Sequence, residues 1–204
     1  MSKQNELRPT LLFILLLAAF GWLAGFDLLA ASLLAAVLHE AGHLSVLWLF
    51  GAREGRILVH ASGLEWRSDG RRMLSYGREL LCVWAGPSVN ILFAAVFGRI
   101  AQAEESGYGY ILAGAQLMMG LFNLLPILPL DGGRAMELLL SWWIDPFFSW
   151  RVMRLLSLLF SALLLAFSLY VSLSGGNGFL LLSAVLLLLL SLRELGLVKC
   201  RRSG

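Results

Sequence analysis

Long apolar runs separated by short polar stretches set the pattern of this chain. Six of them approach or reach bilayer-spanning length: about residues 10–26, 28–50, 79–98, 108–130, 152–173 and 178–197. Each is expected to be a helix, because a backbone in lipid must satisfy its own N–H and C=O groups. Residues 51–78 read differently. Arg56–Ala61 and Leu64–Arg67 flank Ser62-Gly63, and apolar Ile57 and Val59 alternate with their neighbours, which predicts a small β-hairpin. The expected fold is therefore an all-α integral membrane protein of about six transmembrane helices, with a hairpin between the second and third. Residues 1–204 would form a single polytopic domain. Gly25-Phe26-Asp27 joins the first two runs as a tight turn, which fits a helical hairpin better than the cleavage site of a leader peptide.

Charge supplies an orientation. With a cytoplasmic N-terminus and six crossings, 15 of the 16 Lys and Arg residues fall on the cytoplasmic side, and Arg99 falls outside. That is the positive-inside distribution, and it predicts a multi-pass membrane protein with both termini cytoplasmic. Arg71, Arg72 and Arg78 are expected at the headgroups. Composition agrees: 59% of residues are hydrophobic and 14% charged, whereas soluble domains carry about a quarter charged. The net charge of +3 reports topology here and not a nucleic-acid partner. Cys82 and Cys200 are too few and too distant for a disulfide framework.

The second run carries the chemistry. Residues 39–43 read His-Glu-Ala-Gly-His. A helix puts positions i and i+4 on one face, so His39 and His43 can grip one zinc ion while Glu40 works on a water beside it. Ionisable groups at that depth are costly unless something binds them. A catalytic zinc site commonly adds a carboxylate and leaves its fourth position open. Most carboxylates of the chain belong to polar loops or to the external side, but Asp131 stands apart. It follows an apolar segment broken by Pro126 and Pro129 and precedes Gly132-Gly133, and broken backbone at membrane depth must line a site. His39 is expected about 16 Å from the cytoplasmic end of its helix, so a fourth run that unwinds near Asn123 would hold Asp131 at the right level. The plainer alternative makes Asp131 a helix cap in a cytoplasmic turn.

Three segments together resemble a known family. His39-Glu40-Ala41-Gly42-His43, Gly86-Pro87-Ser88-Val89-Asn90, and Asn123-Leu124-Leu125-Pro126 with Pro129-Leu130-Asp131-Gly132 are similar to the motifs of the site-2 proteases, intramembrane zinc metalloproteases of peptidase family M50. The likeness is closest to the bacterial sporulation branch, whose member processes a membrane-tethered sigma factor. It spans a catalytic core of about residues 28–140, with accessory helices at about 1–27 and 150–204. Leu124 stands where many relatives carry proline, and the chain is expected to lack the nucleotide-sensing CBS domain of many in that branch.

The resemblance implies that His39, His43 and Asp131 bind one Zn2+ and that Glu40 is the general base and acid. Asn123 becomes a candidate donor to substrate backbone or to a developing oxyanion. The hairpin strand is expected beside the active site, where it would pair with an unwound substrate. Implied partners are a membrane-tethered or membrane-associated protein substrate, inhibitory or regulatory membrane proteins, and the lipid bilayer, with no nucleic acid. The competing class is a non-catalytic zinc-stabilised membrane protein, either an interaction partner or a metal transporter. It has less in its favour, because a structural zinc takes four protein ligands and a transport path needs further buried charge.

Overall fold

A computed structural model describes residues 25–51, 55–60, 63–68, 75–175 and 178–194. The elements are α1 (Phe26–Leu49), β1 (Gly55–His60), β2 (Gly63–Ser68), α2 (Tyr76–Glu104), α3 (Gly107–Asn123), α4 (Asp131–Trp143), α5 (Pro146–Leu173) and α6 (Gly178–Glu194). Among the described residues, α1, α2 and α5 are long and apolar enough to cross a membrane. Their exposed faces carry Trp48, Leu81, Leu92, Leu163 and Phe167, side chains that suit lipid and not water. The chain is a membrane protein.

Six crossings were expected, and the helices depart from that count for identifiable reasons. Of the 10–26 run, residues 10–24 lie outside the described residues. The 108–130 run forms a helix of only 17 residues, because Pro126 and Pro129 cannot donate to helical carbonyls and bias the residues before them towards extended conformations. Beyond Asn123 the chain turns on short bonds from Leu125 N to Phe122 O (3.1 Å), Ile127 N to Leu125 O (2.8 Å) and Leu130 N to Ile127 O (2.8 Å). The last run likewise yields a 17-residue helix, α6.

Residues 131–151, expected as a connection, contain α4. Gly132, Gly133, Ala135 and Leu138 give it a buried stripe at helical spacing. At the start of α5, Asp145 Oδ2 accepts from Phe147 N at 2.8 Å and Phe148 N at 3.0 Å, while Pro146 occupies the first turn, where its missing N–H costs nothing. Between α1 and α2, strands β1 and β2 pair antiparallel, with Ile57 opposite Trp66 and Val59 opposite Leu64.

The chain divides into two compact units. One contains α1, α2 from Ala85 onward and α3 as far as Leu121; the other contains Ser75–Trp84 and Phe122 onward. In the first, small residues bring the helices together. A side chain at Gly42 would meet Ala85 O at 2.8 Å, and Ala31 and Ala35 are fully buried. In the second, α5 packs against α4 and α6. Its buried serines return their hydroxyl hydrogens to their own helix, Ser161 Oγ to Leu158 O (3.0 Å) and Ser168 Oγ to Leu165 O (2.9 Å), which hides polar atoms from lipid.

Candidate metal centre

One helical turn of α1 carries His39 and His43, and their rings meet edge to face with centroids 4.7 Å apart. Their Nε2 atoms approach to 3.1 Å. Donors around a tetrahedral zinc, bound at about 2.0–2.2 Å, are roughly 3.3–3.6 Å apart, so the two nitrogens already converge almost as a shared ion requires. His39 is buried and His43 half-buried, and between them Glu40 is half-buried on the same turn.

Space for this pair comes from α2. A Cβ at Gly86 would collide with His43 Nε2 and would lie 2.7 Å from His43 Cε1 and 2.8 Å from His39 Cε1. Only glycine lets the α2 backbone come so close to both rings. Pro87 follows, and its absent N–H leaves the helix without one of its internal bonds. One turn after Gly86, Asn90 is fully buried. Its Oδ1 lies 2.6 Å from His39 Nδ1, and its amide nitrogen donates to Ala35 O at 3.0 Å and to Gln116 Oε1 at 2.6 Å. A metal-binding histidine is commonly oriented by a hydrogen bond to its other ring nitrogen, and Asn90 supplies that bond.

Asp131 is the first residue of α4, where the aligned peptide dipoles favour a negative charge. The turn before it is tightly packed. Gly132 abuts the carbonyl of Leu124, a Cβ at Gly133 would lie 2.6 Å from Ile127 O, and Leu128 N donates to Ser157 Oγ of α5 at 2.9 Å. Three residues on, Arg134 pairs with Glu79 at 2.7 Å and with Glu137 at 3.6 Å.

His39 and His43 each offer a ring nitrogen, and Asp131 at the start of α4 offers a carboxylate oxygen. Two imidazoles and one carboxylate form the donor set of a catalytic zinc with an open position, so the group fits zinc. Asn123 is half-buried at the last residue of α3, where the helix ends as the sequence led us to expect. His60 closes β1. Sequence reasoning missed the bond from Asn90 to His39 and the part played by Gln116. The available signal was two amides in lipid-exposed helices, where each must find partners.

Known proteins place these observations in context. The profile of Peptidase family M50 matches residues 95–167, a stretch that includes Asp131 but not His39 or His43. A zinc metalloprotease of Methanocaldococcus jannaschii is 34% identical over 125 residues, covering 59% of this chain and 35% of that protein. Stage IV sporulation protein FB of Bacillus subtilis is 32% identical over 135 residues, covering 63% of this chain and 46% of that protein. The chain thus spans between about a third and a half of the length of these curated relatives. The solved site-2 protease from Methanocaldococcus jannaschii has the same fold, with a TM-score of 0.68 at 24% identity over 96% of this chain and 92% of that one.

Proposed function

We propose that the chain, whose residues 95–167 match the Peptidase family M50 profile, is a zinc-dependent intramembrane endopeptidase that hydrolyses peptide bonds of membrane-spanning or membrane-associated proteins. The observation that carries this reading is the convergence of His39 and His43 Nε2 to 3.1 Å on one turn of α1, with Glu40 adjoining the first of them and the Asp131 carboxylate offered as third donor. In this reading those three residues hold the metal. Zinc, when bound, supplies Lewis acidity towards the scissile carbonyl and makes water acidic enough to deprotonate near neutral pH. Glu40 takes the proton of the attacking water and returns it to the leaving amine nitrogen, serving as base and then as acid. Asn123 donates from its side-chain amide to the substrate backbone or to the oxygen on which charge builds up. A peptide bond in a helix is shielded by its own hydrogen bonds, so the substrate has to unwind. Pairing with the β1–β2 hairpin would keep it extended.

Further parts of the reading rest on the sequence and on relatives. Residues of about 28–140 act as the catalytic core within one polytopic domain, and the remaining helices support it. Six crossings with both termini in the cytoplasm account for the distribution of Lys and Arg and suit a bacterial cytoplasmic membrane. The likeness to a sporulation protein supports a membrane-tethered transcription or sigma factor as substrate, with membrane proteins that inhibit or regulate cleavage as partners.

Glu40→Gln tests the reading. Cleavage of a membrane-tethered reporter by the purified protein should fall by about 10²–10⁴-fold while zinc stays near one per chain. Full cleavage by this variant would sink the hydrolase assignment and favour a zinc-stabilised protein without catalysis.

A further inference from the structure

Asn90 meets three groups that differ in the partners they accept. The carbonyl oxygen of Ala35 can only accept, so the Asn90 atom 3.0 Å from it is the NH2 group. That NH2 spends its second hydrogen on Gln116 Oε1, 2.6 Å away. The amide oxygen is thereby turned to His39 Nδ1 at 2.6 Å, and an oxygen without hydrogen can bond only a protonated nitrogen. In neutral His39 the proton consequently sits on Nδ1 and the lone pair on Nε2, the atom facing His43 Nε2 at 3.1 Å. A backbone carbonyl on α1 thus determines, through one amide, which nitrogen of a ring one turn further along the same helix is available to a metal.

Burial makes the arrangement strict. Asn90 and Gln116 are both fully buried, so water does not stand in for either. Among the described residues the Gln116 NH2 has no hydrogen-bond partner, so this side chain is set by what its oxygen does for Asn90. Resting on the reading of this site as a zinc centre, we propose that Asn90 is a positioning residue that holds His39 in the Nδ1–H tautomer and presents its Nε2 to the metal, with Gln116 locking the Asn90 amide.

The test uses the full chain in detergent or lipid, with ¹⁵N-labelled histidine in the metal-free state and zinc affinity from competition with a chromophoric chelator. The three histidines, His39, His43 and His60, are told apart by single substitutions. In the wild type, His39 should show a protonated Nδ1 and an unprotonated Nε2. Asn90→Leu should mix the two tautomers and weaken zinc binding by about 10–100-fold. Asn90→Asp, which keeps an acceptor facing Nδ1, should recover much of that loss, and Gln116→Leu should cost only a few-fold. A wild-type His39 protonated on Nε2, or a folded Asn90→Leu that binds zinc as tightly as wild type, overturns the proposal. If Asn90→Leu fails to fold, the wild-type tautomer and the behaviour of Asn90→Asp decide. A wild type that takes up no zinc while His39 carries its proton on Nδ1 overturns the zinc reading instead and leaves the tautomer assignment standing.

Discussion

His39, Asn90 and Gln116, and separately Arg134, Glu79 and Glu137, are two polar groups held in opposite ways. The first group is buried and joined in series, and every bond in it admits one orientation. The second is open: the Arg134 side chain is 52% exposed and divides itself between a carboxylate at 2.7 Å and another at 3.6 Å. Nearby, exposed Arg151 lies over the Phe147 ring at 4.4 Å, and half-buried Arg154 over the Trp150 ring at 3.5 Å. Charge number does not decide which group matters more. A buried amide with one permitted orientation transmits geometry to its neighbour, whereas an exposed guanidinium with several alternatives loses little when one is removed.

Substitutions can break or sharpen that contrast. The largest effect is expected from Gly86→Ala, because the new methyl must displace one or both imidazoles. Zinc affinity should drop at least about tenfold and stability by about 1–3 kcal/mol, read by chelator competition and thermal unfolding. Ser157→Ala comes next. It removes the acceptor of Leu128 N in the turn leading to Asp131 and should cost about 1–2 kcal/mol, measured by unfolding, with a smaller decline in cleavage. Arg134→Ala should be mildest, below about 1 kcal/mol, with zinc content unchanged. An Arg134→Ala variant that loses zinc as severely as Gly86→Ala would erase the contrast.

What the sequence revealed follows from how local each feature is. His39, Glu40 and His43 were legible because helical spacing alone places i and i+4 on one face. The end of α3 was legible because Pro126 and Pro129 announce it chemically. Helix α4 was not, because its buried stripe begins with Gly132 and Gly133, residues of low helix propensity that read as a turn. Ser157 lies in a Leu-rich span with no motif around it, and only the fold shows that its hydroxyl accepts from Leu128 N, 29 residues away. Asn90 stood out only as part of a motif, and its reach to His39 across 51 residues and to Gln116 across 26 depends on helix contacts that no local pattern encodes.

Zinc stoichiometry of the purified chain, taken together with X-ray absorption at the metal edge, tests the central claim most directly. The account predicts one zinc per chain with two imidazole nitrogens and a carboxylate oxygen at about 2.0–2.2 Å, and a loss of most of that zinc in Asp131→Asn. Zinc retained at full occupancy by Asp131→Asn, with an unchanged absorption spectrum, would contradict it.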